Sequence, residues 1–199
     1  GLARRFQTEH PGDRRIAALL AEVALLFESQ PRTMKELLMD ARATARDPAL
    51  MAQITDDLKR ANSVGELIPL RFTTVQGKEF DLQQLRGSVV LAVFFAVWSD
   101  ESTAVLERIR AATAKMSRAP FHVIALSLDA RREPLLAFIK AHGLSWPIGF
   151  DGKGWESPLI RGLGINAVPA AWLFDKTGRL RSLNALENTA GQVRQLLEE

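Results

Sequence analysis

Apolar positions in the first third of the chain recur at three- and four-residue spacing, the pattern of helices with one buried face. Three such helices are predicted: one around Ile16–Phe27, a second at Thr33–Ala45 and a third that follows Asp47. Asp47 is a favourable N-cap, and Pro48 fits the first helical position, where no backbone N–H is needed. The pattern therefore predicts a helical N-terminal segment of about three helices at residues 1–64.

After Pro69 the pattern changes to short apolar runs that alternate with amphipathic stretches. Val89–Val97 is apolar on both faces, which is typical of a central strand buried from both sides. The other predicted strands are Leu70–Thr74, Phe121–Leu128, Ala170–Asp175 and Arg179–Leu183. The predicted helices are Glu101–Met116, Arg132–His142, Ser157–Leu163 and Thr189–Leu197. This order indicates one α/β domain at residues 65–199, built around a mixed sheet.

Composition narrows the chemistry that the chain can perform. The sequence contains no cysteine, which excludes disulfides, thiolate nucleophiles and thiolate metal ligands. Its net charge is +3, and the basic residues are scattered among acidic ones. No basic stripe interleaved with aromatic residues is visible, so we expect no nucleic-acid partner.

No apolar run reaches the roughly 18 residues that a membrane-spanning helix needs. The longest run, Val89–Trp98, has the length of a strand and lies in the middle of the chain. Because the sequence begins at Gly1 and not at Met, we expect it to be trimmed at its start. Membrane contact is therefore expected only through an anchor that precedes this sequence.

Two local sequences match a known pattern together. The first is the run FFAVWSDES at residues 94–102, where the central strand gives way to a helix. The second is GINAVPAAWLFD at residues 164–175, followed by Gly178. In this order and at this spacing, they resemble the thioredoxin superfamily, and most closely its TlpA-like and redoxin (AhpC/TSA) branch. The resemblance spans Leu67–Glu199 and implies a thioredoxin-like α/β/α sandwich.

In the family that the chain resembles, the positions of Ser99 and Ser102 are the two cysteines of a Cys-x-x-Cys motif. A helix N-terminus stabilises the first thiolate, and the second cysteine resolves the mixed disulfide. Serine can form no disulfide, and the carboxylates of Asp100 and Glu101 would disfavour a thiolate beside them. We therefore expect no catalytic residue for thiol–disulfide exchange, and activity as an enzyme is in doubt.

The resemblance also implies a surface that accepts extended peptides. Pro169 resembles the cis-proline of the family, and the backbone of the residue before that proline pairs with peptide substrates. Trp98 matches an exposed aromatic residue beside the family's active site. The predicted binding residues are Trp98, Ser99, Asp100, Glu101, Ser102, Val168 and Pro169.

Other sites have little support in the sequence. A hydrolase nucleophile is one alternative role for Ser99 and Ser102. No histidine or lysine is placed to activate them, however, and the sequence has no nucleophile elbow. An N-cap role for Ser99 is therefore the simpler interpretation. The three histidines are far apart, and the glycines form no phosphate-binding fingerprint. We expect neither a metal nor a cofactor.

Three functions stay open at this point. The leading hypothesis is a redox-inactive thioredoxin-like protein that binds a protein or an extended peptide. The first alternative is a TlpA/redoxin-type thiol-disulfide oxidoreductase whose cysteines were changed to serine. The second is a structural module that forms homo-oligomers through its N-terminal helices. By resemblance alone, the expected location is the bacterial cell envelope or periplasm.

Overall fold

The computed structural model describes residues 15–28, 30–116 and 119–199, apart from the side chain of Lys115. The chain divides into two compact units, Gly1–Val64 and Gly65–Glu199, here called the helical unit and the α/β unit. Residues 1–14 and Ser29, which belong to the predicted helical segment, lie outside the described residues.

Three helices make up the described part of the helical unit: α1 (Arg15–Leu25), α2 (Pro31–Thr44) and α3 (Pro48–Ser63). The Asp47 carboxylate accepts a hydrogen bond from the backbone N–H of Leu50 at 2.8 Å, so this residue caps α3 as its sequence predicts. Each helix buries one apolar face, including Leu20, Leu38 and Ile54. The spacing of apolar positions therefore locates the helices to within about two residues at each end.

The α/β unit contains a two-stranded hairpin, β1–β2, and a five-stranded sheet in the order β5-β4-β3-β6-β7. The strands are β1 (Arg71–Thr73), β2 (Glu79–Asp81), β3 (Val89–Phe95), β4 (Phe121–Ser127), β5 (Ile148–Gly149), β6 (Ala170–Phe174) and β7 (Leu180–Ser182). β3, β4 and β5 run parallel, whereas β6 is antiparallel to β3 and to β7. The sheet is therefore mixed.

Helices alternate with these strands as the sequence predicts. They are α4 (Asp100–Thr113), α5 (Arg132–Ala141), α6 (Pro158–Leu163) and α7 (Thr189–Glu198). Every residue of β3 is buried, which explains its unbroken apolar run. Alternate β3 side chains, such as Leu91, join one core cluster with Leu106 of α4 and Val193 of α7. On the opposite face, the rings of Phe94 and Trp172 meet edge to face at 5.4 Å.

The segment of residues 65–74 pairs at both sides of the five-stranded sheet, whose outer strands are β7 and β5. At one side Leu67 bridges Arg179, and the Gly65 N–H donates to the Leu180 carbonyl at 2.7 Å. At the other side Thr74 bridges Gly149. Because a free strand edge invites pairing with other chains, this segment protects the sheet at both sides.

No helix among the described residues is long and apolar enough to cross a membrane.

Candidate functional site

Three loops leave the sheet at the same edge, because of how β3 pairs with its neighbours. Phe95, the last residue of β3, lies opposite Ser127, the last residue of parallel β4. Phe94 lies opposite Ala170, the first residue of antiparallel β6. The loops that meet at one edge of the sheet are therefore residues 96–99, 128–131 and 166–169. This edge is the candidate site. It brings the Trp98–Ser102 segment and the Val168–Pro169 segment to neighbouring positions.

Ser99 begins α4 as its N-cap. Its Oγ accepts a hydrogen bond from the backbone N–H of Ser102 at 3.3 Å, and its backbone is extended. Asp100 and Glu101 occupy the first turn, where negative charge interacts favourably with the helix dipole. Ser99 therefore caps α4 at the position where the resembled family carries its first cysteine.

Ser102 is fully buried beneath the start of α4. Its Oγ accepts a hydrogen bond from the backbone N–H of Ala96 at 3.3 Å, which joins the helix to the turn that follows β3. Within the described residues, neither this hydroxyl nor that of Ser99 bonds to a histidine or lysine. A serine nucleophile needs such a base, so this arrangement supports structural roles for both hydroxyls.

Val168 and Pro169 immediately precede β6, and both are half-buried. The peptide bond between them is cis. In the part of the chain that the structure describes, Val168 makes no backbone hydrogen bond.

Asp129 is a site residue that the sequence analysis missed. This buried carboxylate follows β4 and accepts the backbone N–H of Val97 with Oδ1 at 3.0 Å and Oδ2 at 3.2 Å. It also accepts the Ser127 hydroxyl at 2.7 Å. An acidic residue directly after a buried strand was the available signal, because such a residue lies at the edge where parallel strands end.

An open cavity of about 630 Å³ lies on the β4 side of this edge. Two indoles, Trp98 and Trp155, contribute to its lining, so we name it the Trp98–Trp155 cavity. Trp155 belongs to a short 3₁₀ turn at Gly154–Glu156. The other lining residues are Val97, Leu128, Asp129, Ala130, Arg131, Pro134, Lys153, Gly154 and Glu156. Of the predicted binding residues, Trp98 alone lines this cavity.

Among the described residues, no group of three or more histidine and acidic side chains could hold a metal ion. The carboxylate of Asp129 is occupied by backbone and hydroxyl donors. The lining of the cavity combines indole and aliphatic side chains with charged ones.

Comparisons with known proteins agree with this architecture. Residues 64–183 match the family model described as the AhpC/TSA family. The thiol-disulfide oxidoreductase ResA of Bacillus anthracis is 25% identical over 127 residues, which cover 64% of this chain and 72% of that protein. ResA of Geobacillus thermodenitrificans is 21% identical over 141 residues, which cover 70% of this chain and 79% of that protein.

Solved structures share the fold. The C-terminal domain of a candidate thiol-disulfide oxidoreductase from Bacteroides thetaiotaomicron superposes with a TM-score of 0.63 at 20% identity, covering 68% of this chain and 96% of that chain. A thiol-disulfide oxidoreductase from Bacteroides fragilis superposes with a TM-score of 0.55 at 26% identity, covering 65% of this chain and 98% of that chain. The α/β unit is therefore a thioredoxin-like α/β sandwich, preceded by helices.

Proposed function

The chain belongs to the AhpC/TSA family but contains no cysteine, and we propose that it binds an extended polypeptide at the candidate site without thiol–disulfide exchange. A thiolate is the nucleophile of such exchange, so the side chains of this sequence cannot carry it out. The proposed role keeps the family's contact with polypeptides and omits the transfer of electrons.

One observation carries this proposal: hydrogen bonds hold both serines at the start of α4, at the positions where the resembled family carries its cysteines. Ser99 caps α4, and Ser102 ties the helix to the turn after β3. Beside them the side chain of Trp98 is 61% exposed. An exposed indole at the rim of a cavity is typical of surfaces that bind other molecules, because tryptophan is enriched in interfaces.

The backbone of Val168 supports an extended ligand. Its N–H and C=O form no backbone hydrogen bond within the described residues, and they lie beside the turn that carries Trp98. A peptide in extended conformation satisfies such groups by adding a short β pairing, while pockets nearby select its side chains. In the resembled family, the residue at this position makes that pairing.

A tethering experiment tests the proposal. The variant Ser99→Cys carries one thiol, which is presented with a peptide whose cysteine is activated as a 2-pyridyl disulfide. The protein thiolate attacks the peptide sulfur, a new disulfide forms, and the old S–S bond breaks with release of 2-thiopyridone. The matched control is Thr177→Cys, an exposed position in the turn between β6 and β7. Each rate is divided by the rate with 2-pyridyl mercaptoethanol disulfide, which removes differences in thiol reactivity.

If a peptide binds at the site, the normalised rate at position 99 exceeds that at position 177 by about tenfold or more, because binding raises the local concentration of the disulfide. Adding Trp98→Ala to the Ser99→Cys variant should lower the rate with the peptide and leave the rate with the small disulfide unchanged. Equal normalised rates at the two positions would contradict peptide binding.

A second candidate function rests on the helical unit. Leu26 is 80% exposed and Met39 is 64% exposed, so two large apolar side chains of the helical unit face solvent. We propose self-association through these residues as the alternative role. Light scattering of the full chain beside the variant Leu26→Glu with Met39→Glu tests it. A parent oligomer that dissociates in the variant favours this role, and a monomeric parent contradicts it.

We also propose the bacterial cell envelope as the location. The relatives described above are bacterial thiol-disulfide oxidoreductases, and the proposal rests on that family relationship. Fractionation of cells that express the full-length gene product checks it. Recovery in the cytoplasmic fraction alone would contradict it.

A further inference from the structure

The Trp98–Trp155 cavity has apolar walls that remain open to solvent. The Trp155 side chain is 38% exposed, and Trp98 is more exposed still. Leu128 and Pro134 contribute further apolar surface to the lining. The volume of about 630 Å³ lies within the range of small-ligand pockets, roughly 300–1,000 Å³. The cavity therefore has room for a large apolar side chain.

Among the described residues, some charged side chains that line the cavity have partners within the protein and others form no ion pair. Arg131 and Lys153 are exposed, and among the described residues neither forms an ion pair. In contrast, the Glu156 carboxylate forms an ion pair with Arg161. The Asp129 carboxylate is buried and accepts its hydrogen bonds from within the protein. The exposed Glu156 carboxylate is therefore already paired, whereas Arg131 and Lys153 are cations of this lining that have no ion-pair partner among the described residues.

Neighbouring acidic side chains lie outside this lining. Asp100 and Glu101 stand in the first turn of α4 and do not line the cavity. Asp151, whose Oδ1 accepts the backbone N–H of Lys153, does not line it either. Arg131 and Lys153 are therefore the unpaired charges of this lining with which a ligand of opposite charge would pair.

From these observations we infer that the Trp98–Trp155 cavity binds an acidic segment of a partner polypeptide that carries a large apolar side chain. The apolar side chain packs on the indole-lined wall of the cavity, and neighbouring carboxylates pair with Arg131 and Lys153. A guanidinium matches a carboxylate with two parallel hydrogen bonds, and Lys153 adds a point charge. This inference rests on the proposed function, since it names the class of peptide that the candidate site accepts.

A single-stranded nucleic acid would also use aromatic side chains and cations. Such ligands need a basic groove that follows several phosphates, however, and this cavity offers two cations on a chain of net charge +3. The observations therefore favour an acidic peptide, and an oligonucleotide serves as a negative probe in the test.

The experiment follows indole N–H signals in ¹H–¹⁵N NMR spectra of the full chain. The sequence contains four tryptophans, and the variants Trp98→Phe and Trp155→Phe assign the two signals from the cavity. Trp172, which is buried in the sheet, provides an internal control signal. The probes are three heptapeptides with one central phenylalanine, flanked by glutamates, by lysines or by serines. An oligothymidylate of similar length is the fourth probe.

The glutamate peptide should shift the Trp98 and Trp155 signals in a saturable way and leave the Trp172 signal in place. Its dissociation constant should rise about tenfold or more in the variant Arg131→Glu with Lys153→Glu, because two attractions become repulsions. The matched control is Arg194→Glu with Lys78→Glu, two exposed positions outside the cavity, and it should bind as the parent does. Added salt should weaken binding of the glutamate peptide.

Three results would overturn the inference in distinguishable ways. If all three peptides bind equally well and charge reversal has no effect, the preference for acidic peptides is wrong and the proposed peptide-binding function stands. If no peptide at about 1 mM shifts either cavity signal, the preference for acidic peptides and the proposed peptide-binding function are both wrong. A dissociation constant above about 1 mM is too weak for a specific site. Preferential binding of the oligothymidylate would show that the cavity binds a single-stranded nucleic acid and not a peptide.

Discussion

The Asp129 carboxylate accepts a hydrogen bond from the backbone N–H of Val97, with 3.0 Å to one oxygen and 3.2 Å to the other. This contact joins the loop after β4 to the turn after β3, and that turn carries Trp98. The Ser127 hydroxyl donates to the same carboxylate at 2.7 Å and accepts the Asp129 backbone N–H at 3.1 Å. Asp129 therefore positions the turn on which the exposed indole and the start of α4 depend.

Replacing this carboxylate should destabilise the α/β unit. We expect Asp129→Ala to lower the free energy of unfolding by about 2–3 kcal/mol, because the partly buried N–H of Val97 and the buried Ser127 hydroxyl lose their acceptor. Ser127→Ala removes the hydroxyl that donates to this carboxylate and accepts the Asp129 N–H, and it should cost about 1–2 kcal/mol. Urea denaturation followed by circular dichroism measures both. Equal stability of Asp129→Ala and the parent would show that the contact contributes nothing.

The two serines at the former reactive positions should contribute to stability by different means. Ser99→Ala removes the cap of α4 and should cost about 1 kcal/mol, whereas Ser99→Asp retains a cap and should cost little. Ser102→Ala leaves the N–H of Ala96 without its acceptor in a buried place and should cost about 1–2 kcal/mol. The same denaturation experiment compares the three variants. A loss in Ser99→Asp as large as in Ser99→Ala would exclude the capping role.

The elements of this fold follow from local patterns in the sequence. The unbroken apolar run from Val89 could only be a strand buried on both faces, and the structure places it at the centre of the sheet. The predicted run extended to Val97, but the strand ends at Phe95, because the N–H of Val97 bonds to a side chain from another loop. The hydrophobicity of a sequence predicts which residues are buried, but it does not predict the residue at which the hydrogen bonds between strands end.

The site was predictable only in part. The resemblance implied that Trp98 and Pro169 lie close together. In the structure, Trp98 follows the end of β3, and Pro169 precedes the start of β6, which pairs with that end. The Trp98–Trp155 cavity was not predicted, because Trp155 and Arg131 are distant in sequence and belong to separate loops. Sequence periodicity describes elements, whereas a cavity between loops depends on tertiary contacts that leave no periodic signal.

Asp175 should give the protein a measurable dependence of stability on pH. Partial burial alone raises the pKa of Asp175, but hydrogen bonds from Thr177, Arg179 and Arg181 outweigh it and hold this pKa below the ordinary value of 3.8. The closest donor, the Thr177 hydroxyl, lies 2.6 Å from the carboxylate. Since the pKa is lower in the folded state, the carboxylate stabilises the protein above pH 3.8, and this contribution is lost as the pH falls through the folded value.

We therefore expect Asp175→Asn to be less stable than the parent by about 1 kcal/mol at neutral pH, with a difference that narrows under acid conditions. Urea denaturation at several pH values between about 2 and 7 measures this difference. The control Thr177→Val keeps the carboxylate but removes one donor, so it should show a smaller loss with the same direction of pH dependence. A difference between Asp175→Asn and the parent that stays constant with pH would contradict the account.

Two glycines offer a matched test of packing in the α/β unit. A Cβ atom on Gly149 would lie 2.7 Å from the Phe72 ring, whereas a Cβ on Gly162 would meet nothing within 4 Å. Gly149→Ala should therefore cost about 2 kcal/mol through overpacking. Gly162→Ala, within α6, should stabilise the protein by about 0.5 kcal/mol because alanine favours the helix. Thermal unfolding ranks the two variants against the parent, and a neutral Gly149→Ala would contradict the packing described for β5.

The central claim is that the chain keeps the framework of the family's site while serine replaces its two reactive residues. The most direct test restores both cysteines, Ser99→Cys with Ser102→Cys, and measures reduction of a disulfide substrate beside the unchanged parent. We predict that the restored pair forms an exchangeable disulfide and reduces the substrate faster than a free dithiol, while the parent shows no reduction. If the restored pair forms no exchangeable disulfide, or reduces the substrate no faster than a free dithiol, the framework is not retained and the central claim is wrong.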